Sequence, residues 1–280
     1  MAKPRRWLEW EAAQARDWIA VPQATDDKYS RGVLGVRTGS TEYPGAAVLG
    51  VEAASRTGVG MLRYLGPRRV ETLVMQRRPE VVTVDGRVQA WLLGSGMDAG
   101  SRSPETTKQL QKALRQGLPT VLDAGALDLV GVGAGPKLIT PHYRELAALL
   151  GRSGTSVTVD DIAAEPGEWA IRAAVLLDVT VLVKGSVTHL ASPSGIRLTV
   201  SGAPAWLATA GSGDVLAGIL GALLATNSAR IEAEADALAA LAATAAFVHS
   251  AAAHRASAGG PIVALDVAQA VPATIAALLA

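Results

Sequence analysis

Short apolar runs alternate with helical patterns along most of the chain, and each run has the length of a strand buried on both faces. The predicted strands cover residues 33–36, 90–93, 120–122, 137–139 and 179–183. Helices are predicted from near Pro44 and from Pro104, because proline suits the first position of a helix. This alternation predicts an α/β fold with a mostly parallel central sheet and helices on both faces.

The pattern changes after residue 187. Segments 187–191 and 197–200 flank Ser192-Pro193-Ser194-Gly195, which predicts a late β-hairpin. Helices are then predicted over residues 212–225, 230–256 and 266–279. We interpret residues 28–280 as a single domain, and residues 1–27 as a polar, tryptophan-bearing lead-in packed on its outside.

Composition narrows the classes of partner. The chain has 280 residues, of which 49% are hydrophobic and 4% aromatic, and its formal net charge is +1. This balance gives no field that would attract nucleic acid or an anionic membrane. The chain has no cysteine, which excludes disulfides and zinc–thiolate sites and fits a cytoplasmic location. Its longest uncharged stretch, residues 237–253, is mostly alanine and predicts a packed helix of a soluble protein, not a membrane span.

The strongest local signal is a turn of small residues, Ala210-Gly211-Ser212-Gly213-Asp214, that leads directly into a helix. The free N–H groups and the positive end of the helix dipole make Gly211, Ser212 and Gly213 a candidate anion hole. Asp214 lies beside this hole and could accept a proton from a substrate hydroxyl that attacks phosphorus. The alternative is that Asp214 only complements the dipole, or that Ser212 only caps the helix.

Two further polar segments adjoin predicted strands. Lys184-Gly185-Ser186-Val187-Thr188 forms a tight turn at a sheet edge, where nucleotide phosphates or ribose could bind, and an ordinary hairpin is the alternative. The other segment runs from Leu138 to Leu146. In it, Thr140 is predicted to cap a helix with Pro141 at its first position. Glu145 then lies beyond the capping-box position, and His142 shares its face, either towards a ligand or Mg²⁺ or towards solvent.

Two glycine-rich segments invite nucleotide-site interpretations that the sequence argues against. Gly94-Ser95-Gly96 follows a strand, and Asp123 closes the next one, as in a dinucleotide-binding fold. In that fold the helix opens at the glycines, whereas here it is predicted to begin at Pro104, which argues against this interpretation. Residues 131–137 lack the last glycine and the Ser or Thr of a Walker loop.

Six segments occur in an order that one family shares. They are Tyr43-Pro44-Gly45-Ala46-Ala47, Gly94-Ser95-Gly96, Leu122-Asp123-Ala124, Thr140-Pro141-His142, Lys184-Gly185-Ser186-Val187-Thr188 and Ala210-Gly211-Ser212-Gly213-Asp214. Over about residues 28–279 the chain thereby resembles the ADP/ATP-dependent NAD(P)H-hydrate dehydratases. The resemblance implies a ribokinase-like fold and an enzyme that returns hydrated NADH or NADPH to the normal cofactor, with ADP or ATP as co-substrate.

The resemblance also implies roles for particular residues. Those that would bind the nucleotide are Lys184, Gly185, Ser186, Val187, Thr188 and Gly213. Those that would bind the hydrated cofactor are Ala46, Gly96, His142 and Asp214, with Asp214 as the catalytic base. Glu145 would be an indirect ligand of Mg²⁺. The family further implies a homo-oligomer, such as a tetramer, and a separate epimerase that acts on the same metabolite.

Departures from the family pattern keep other functions open. Arg37 stands where the family has apolar residues and glycine and could alter how the hydrate binds, and the bulky Tyr143 and Arg144 could narrow the cleft. Many members carry an N-terminal epimerase domain, for which 280 residues leave no room. The alternatives are a small-molecule alcohol kinase of the same fold, such as a thiazole or pyrimidine kinase, and a nucleotide-binding sensor without turnover. An intact Asp214 argues against the sensor.

Overall fold

A computed structural model describes residues 6–280, and its centre is a nine-stranded sheet. The strands are β1 (Leu8–Glu9), β2 (Val33–Arg37), β3 (Met61–Tyr64), β4 (Ala90–Leu93), β5 (Thr120–Leu122), β6 (Lys137–Ile139), β7 (Thr180–Val183), β8 (Thr188–Ala191) and β9 (Arg197–Val200). Their order in the sheet is β1-β9-β8-β7-β6-β5-β4-β2-β3. Neighbours from β2 to β7 are parallel, and β8 is antiparallel to β7 and β9. The predicted sheet and its late hairpin are therefore confirmed.

Helices cover both faces of this sheet. They are α1 (Ala12–Arg16), α2 (Pro44–Thr57), α3 (Arg68–Arg77), α4 (Pro104–Leu114), α5 (Tyr143–Arg152), α6 (Val159–Ala164), α7 (Pro166–Leu177), α8 (Ser212–Thr226), α9 (Ser228–Ala233), α10 (Ala237–Ser257) and α11 (Ala264–Leu279). Because side chains alternate along a strand, neighbouring strand residues enter different cores. Leu34 and Leu92 join the core with α2, α8, α10 and α11, whereas Val33 and Trp91 join the core with α4, α5 and α7.

The close contact of α8 with α2 fixes where α8 begins. Gly218 lies so near α2 that a Cβ on it would overlap the Gly50 carbonyl oxygen. A Cβ added to Gly50 would in turn lie 3.4 Å from the carbonyl oxygen of Asp214. The absence of side chains at both glycines therefore holds the first turn of α8 beside α2.

One predicted helix is wrong. The helix predicted over residues 230–256 is two helices, α9 and α10, because Glu234 leaves the helical region with φ −122° and ψ 115°. Asp236, at the break, accepts a hydrogen bond from Ser194 Oγ in the hairpin loop at 2.6 Å. That contact joins residues 42 positions apart, so no local periodicity could indicate it.

The sequence pattern does not predict the two edge strands, β1 and β3. The apolar residues of β3 are interrupted by Arg63, whose Nη1 donates to the Val84 carbonyl at 2.8 Å. β1 has only two residues, and both are exposed. The Glu9 carboxylate holds it beside β9 by accepting hydrogen bonds from Thr199 Oγ1 at 2.7 Å and the Ser201 N–H at 2.8 Å. Both strands depend on partners that are distant in sequence.

α10 is the one helix in the described part of the chain that is long and apolar enough to cross a membrane by length and composition. Its most apolar window has a mean hydropathy of 1.4, yet 78% of that window is buried inside the protein. The lead-in packs on it, since Trp10 Nε1 donates to Thr244 Oγ1 at 3.2 Å. α10 is therefore a packed helix, as its composition predicts.

Candidate functional site

Polar residues lie just beyond the ends of four adjacent parallel strands and meet at one edge of the sheet. Ser95 follows β4, Asp123 follows β5, Thr140 follows β6 and Lys184 follows β7. Asp123 joins the other three. Its Oδ1 accepts from Thr140 Oγ1 at 2.7 Å and from Lys184 Nζ at 3.0 Å, and its Oδ2 accepts from Ser95 Oγ at 2.9 Å. In open parallel sheets this carboxyl edge is where ligands bind.

Asp123 is only 3% exposed, yet it is held as a carboxylate. Burial opposes its charge, but Lys184, Thr140 and Ser95 outweigh that effect and lower the pKa of Asp123. The sequence alone predicts no role for Asp123, because the dinucleotide-binding interpretation of the glycine-rich segment is disfavoured. Its place directly after a buried strand, with Thr140 directly after the next strand, is the signal that could have identified it.

Lys184 lies between several carboxylates. Its Nζ is 3.0 Å from Asp123 Oδ1 and 3.7 Å from Glu145 Oε2. Burial opposes the charge of Lys184, but the negative charges of Asp123, Glu145 and Asp214 outweigh it and raise the pKa of the amine. Lys184 is therefore a fixed positive charge at the carboxyl edge of the sheet.

The first turn of α8 approaches this lysine. A Cβ on Gly213 would lie 3.8 Å from Lys184 Nζ. The N-cap of α8 is Gly211 in a left-handed conformation (φ 88°), so Ser212 is the first helical residue and the alternative that it caps the helix is wrong. The Ser212 N–H donates to the Thr209 carbonyl at 3.3 Å, whereas the N–H groups of Gly211 and Gly213 have no partner within residues 6–280. Gly211 and Gly213 thus keep the donors that an anion would need.

Asp214 lies in the same turn, and its carboxylate makes no hydrogen bond or ion pair within residues 6–280. Burial raises its pKa, the negative charge of Asp123 raises it further, and Lys184 lowers it, which leaves a value of about 7. Near neutral pH this carboxyl group is therefore poised between its two protonation states, as a general base requires.

A cavity of about 490 Å³ opens beside this turn, a volume that suits a nucleotide-sized ligand. Of the predicted nucleotide-binding residues it brings together Lys184, Gly185, Ser186, Thr188 and Gly213, and it adds Ser212. Val187 does not line it. The rest of the wall is mostly apolar and comes from the loop at residues 203–208 and from α8 and α10.

The residues predicted to bind the hydrated cofactor lie outside this cavity. Gly96 has φ +65°, and a Cβ on it would overlap Ala46 Cβ, so these two residues are in direct contact. A Cβ on Gly211, at the start of α8, would lie 2.5 Å from Leu49 Cδ1 in the same helix as Ala46. His142 lines a separate shallow pocket that it shares with Lys184. Lys184 therefore lines both the large cavity and the shallow pocket that contains His142.

The predicted cap of α5 is wrong, and so is the argument that placed Glu145 outside it. The helix begins at Tyr143, and His142 rather than Thr140 is its N-cap. Glu145 is thus the third helical residue, and its Oε2 accepts from the His142 N–H at 2.8 Å in a capping box. Thr140 instead bonds to Asp123.

The three residues that depart from the family pattern have different surroundings. Arg37 donates to the Leu65 carbonyl at 2.6 Å and lies over the Trp91 ring, on the sheet face opposite α8. Tyr143 places its hydroxyl against Gly185, where a side chain would otherwise stand. Arg144 is exposed beside the His142 pocket. Of the three, Tyr143 is the one that touches a predicted nucleotide-binding residue.

These features define an α/β protein with a nucleotide-sized cavity at the carboxyl edge of its sheet and a glycine-rich helix start against it. The ADP/ATP-dependent NAD(P)H-hydrate dehydratase from Bacillus subtilis, crystallised with ATP and Mg²⁺, has the same fold, with a TM-score of 0.83, 23% identity and coverage of 97% of this chain and 99% of its own. A ribokinase-like superfamily protein from Enterococcus faecalis matches with a TM-score of 0.81, 19% identity and coverage of 97% and 96%. The fold is therefore ribokinase-like.

Sequence comparison identifies the family. The family model of the NAD(P)H-hydrate dehydratases matches residues 34–272. An ADP-dependent (S)-NAD(P)H-hydrate dehydratase from Xanthomonas campestris is 34% identical over 220 residues, which cover 71% of this chain and 74% of that protein. A bifunctional NAD(P)H-hydrate repair enzyme from Mycobacterium tuberculosis is 40% identical over 239 residues, or 79% of this chain and 46% of that protein. The chain belongs to the NAD(P)H-hydrate dehydratase family, and it spans about half the length of the bifunctional relatives.

Proposed function

We propose that this protein dehydrates hydrated NADH or NADPH to the normal cofactor at the expense of ADP or ATP. The main support for the proposal is the carboxyl group of Asp214, which makes no hydrogen bond and has a pKa of about 7. It lies in the helix turn whose residues Ser212 and Gly213 line the nucleotide cavity. A base that takes a proton from an alcohol works best with a pKa near the working pH. Lys184 and the free N–H groups of the turn supply the positive field that a phosphoryl group requires.

The proposed reaction has two parts. Asp214 takes the proton of the ring hydroxyl, and the hydroxyl oxygen attacks the terminal phosphorus of the nucleotide while the bridging P–O bond breaks. ADP then leaves as AMP, or ATP as ADP. The lone pair of the ring nitrogen next expels phosphate from the ring carbon, and loss of a proton from the neighbouring carbon restores the double bond. Phosphorylation thus turns a poor leaving group, hydroxide, into a good one.

Each predicted residue has a proposed position along this path. Lys184, Gly185, Ser186, Thr188 and Gly213 would bind the nucleotide, because they line one cavity. Val187, which does not line it, would only hold the turn. The hydrated ring would bind between His142 and the contact of Ala46 with Gly96, next to the first turn of α8. In this proposal the ring hydroxyl would lie between Asp214 and the terminal phosphate.

Mg²⁺ fits this site through the nucleotide rather than through a protein cage. Within residues 6–280 no group of three or more His, Asp or Glu side chains is arranged to hold a metal ion. The hydrogen bonds of Glu145 use Oε2, which leaves its other oxygen to bind a metal-bound water. Mg²⁺ bound to the phosphates would neutralise part of their charge, and the ion would retain several of its own waters. Glu145 would orient that hydration shell.

The test is to incubate the pure protein with ADP, Mg²⁺ and hydrated NADH while following reduced-nicotinamide absorbance. We expect absorbance to return in step with AMP and inorganic phosphate, one of each per cofactor repaired. ATP is tested in parallel. An alcohol kinase would instead leave a stable phosphate ester without a return of absorbance, and a sensor would bind ADP and release no phosphate. Either result would contradict the proposal.

We also propose the wider setting that the family implies. In this setting a separate epimerase acts on the same metabolite, as the resemblance to the family implies. A homo-oligomer, such as a tetramer, and a cytoplasmic location remain predictions. Sedimentation equilibrium and localisation of the tagged protein would test them.

A further inference from the structure

The shallow pocket that contains His142 holds two hydrogen-bond donors that the proposed reaction does not use. We call it the His142 pocket. Its volume is about 330 Å³, and it is lined by His142, Tyr143, Arg144, Val159 and Lys184. Lys184 also lines the large cavity, so the two spaces share this lysine. The proposed reaction gives neither Tyr143 nor Arg144 a role.

Arg144 supplies a positive charge that has no partner in the described part of the chain. It is the second residue of α5, and its guanidinium makes no ion pair or hydrogen bond within residues 6–280. Glu145 follows it in the chain, but the Glu145 carboxylate accepts from the His142 N–H and lies 3.7 Å from Lys184 Nζ. The positive end of the α5 dipole adds to the charge of Arg144, because that residue lies in the first helical turn. The pocket therefore has a positive field of its own.

The hydroxyl of Tyr143 is the second free donor. The Tyr143 ring packs against the core that contains α4, α5 and α7, and its oxygen lies where a Cβ on Gly185 would overlap it. The hydroxyl makes no hydrogen bond within residues 6–280. Its oxygen keeps accessible surface, and the side chain as a whole is only partly buried. A ligand in the pocket can therefore reach this donor.

Backbone contacts fix the pocket relative to the nucleotide cavity. The Lys184 N–H donates to the Pro141 carbonyl at 3.0 Å, and His142 forms an isolated parallel bridge with Lys184. The start of α5 is thereby joined to the turn that lines the large cavity. A ligand in the pocket consequently lies at a fixed position relative to Lys184, on the side where the hydrated ring is proposed to bind.

We propose that Arg144 and Tyr143 bind a phosphate group of the hydrated cofactor in the His142 pocket. A guanidinium can only donate and carries a charge, so with a phenol beside it the pocket selects an anion. The inference rests on the proposed function, which places the hydrated ring beside His142. The phosphates of the nucleotide have donors of their own in the first turn of α8. The cofactor offers two phosphate sources, the diphosphate bridge in both forms and the 2′-phosphate in hydrated NADPH alone.

The test measures the affinities of hydrated NADPH and hydrated NADH by calorimetry, without nucleotide so that no turnover occurs. Arg144→Gln should weaken hydrated NADPH roughly 10-fold, as for one hydrogen bond to a charged group at an accessible site. The loss should shrink as salt is raised, because accessible charges are screened. A loss confined to hydrated NADPH assigns the 2′-phosphate, and equal losses for both ligands assign the diphosphate bridge.

Tyr143→Phe keeps the ring against Gly185 and removes only the donor. We expect it to weaken the same ligand roughly 3- to 10-fold. Arg144→Lys keeps the charge and should recover part of the affinity that Arg144→Gln loses. The matched control is Arg152→Gln, which changes an exposed arginine at the other end of α5, outside the pocket, and should bind both ligands as wild type does. Thermal unfolding confirms that each variant is folded, and if Arg144→Gln is not, Arg144→Lys and Tyr143→Phe carry the test.

Two results would overturn the proposal. One is wild-type affinity for both hydrated cofactors in the Arg144 variants, and the same result in Tyr143→Phe alone would remove the hydroxyl from the subsite. The other is a loss of ADP affinity as large as the loss of cofactor affinity, because the pocket would then belong to the nucleotide. Binding through Arg144 without any repair by the wild-type protein would remove the proposed function alone. Repair with unchanged affinities in the variants would remove this subsite alone.

Discussion

Two acidic side chains on the packed helices α2 and α8 differ in their partners and in their pKa. Glu52, on α2, is fully buried and accepts charged hydrogen bonds from Arg56 at 2.6 Å, Arg77 at 3.1 Å and Arg78 at 2.6 Å. Burial opposes its charge, but the three arginines outweigh that effect and lower its pKa to about 2. Asp214, on α8, has no such partner, and burial with the nearby negative charge leaves its pKa at about 7.

Burial alone therefore does not decide the protonation state of a carboxyl group, because its charged and hydrogen-bonding partners can outweigh it. Arg77 ends α3 and Arg78 follows it, so their ion pairs with Glu52 connect α2 to the end of α3. Glu52 is therefore a structural anchor. Lys184 is the cation that lowers the pKa of Asp214, but this lysine forms its ion pair with Asp123. Asp214 is thereby left without compensation, which opposes folding at high pH and leaves the carboxyl group able to accept a proton near neutral pH.

The largest effect is expected from Asp214→Asn. We expect turnover of hydrated NADH to fall by about a thousandfold, the order of effect of a lost general base, with ADP affinity within a few-fold of wild type. Steady-state repair assays and calorimetry measure the two quantities. The folded pKa of Asp214 is raised, so its contribution to stability is lost as pH rises from about 4 to 7. The variant should consequently gain thermal stability over wild type at pH 8 but not at pH 4, and unchanged turnover would remove Asp214 as the base.

The second change removes the other carboxylate. Glu52→Gln should lower the free energy of unfolding by about 3 kcal/mol at pH 7, because three arginines lose the negative charge that they surround. Glu52 has a lowered pKa, so the difference from wild type should shrink as pH falls from about 4.5 towards 2. Urea unfolding across pH measures it. Glu80→Gln, which changes an exposed partner of Arg78, is the control and should have little effect.

The turnover rate of the same variant tests whether Glu52 has a purely structural role. Folded Glu52→Gln protein should repair hydrated NADH at the wild-type rate, since Glu52 does not line the nucleotide cavity. A variant that is stable but inactive would show that the Glu52 cluster belongs to the active site, and the contrast between anchor and base would be wrong.

A smaller effect is expected from Lys184→Ala. Loss of a charged contact to phosphate should weaken ADP by roughly 10- to 100-fold and hydrated NADH by less. Calorimetry with each ligand separately measures the two affinities. The matched control is Lys137→Ala, a lysine outside the cavity at the opposite end of β6. Equal affinities for ADP in the Lys184 variant and wild type would contradict its assignment to the phosphates.

The smallest expected effect concerns the pH dependence of turnover. The charge of Asp123 raises the pKa of Asp214 and that of Lys184 lowers it. Asp123→Asn should therefore move the acidic limb of the kcat profile to lower pH, and Lys184→Ala should move it to higher pH, each by about one pH unit or less. Shifts of the same sign in both variants would show that the limb belongs to another group.

Much of the fold follows from local pattern, and the errors have physical reasons. Strands buried on both faces read as apolar runs, so β4, β5 and β6 are predicted with their observed bounds. The edge strands β1 and β3 carry exposed or charged residues and depend on distant partners. The predicted helix over residues 230–256 is interrupted at Glu234. At this break Asp236 accepts a hydrogen bond from Ser194, which is distant in sequence.

The candidate site divides in the same way. Asp214 and Lys184 stand in short motifs whose chemistry local sequence can suggest, and the roles given to them remain proposals. The place of Asp123 in the site depends on its neighbours Ser95, Thr140 and Lys184, which follow other strands. Glu145 was placed wrongly because α5 begins at Tyr143 instead of Pro141, which moves the cap to His142.

The most direct measurement is a titration of both carboxyl groups by ¹³C NMR on protein labelled at its Asp and Glu carboxyl carbons. Asp214→Asn and Glu52→Gln assign the two signals by their disappearance. We expect a midpoint near pH 7 for Asp214 and near pH 2 for Glu52, or no titration of Glu52 before the protein unfolds. A midpoint near pH 4 for Asp214 would contradict the proposed role, because a carboxyl group with an ordinary pKa is fully ionised at neutral pH and is a weak base.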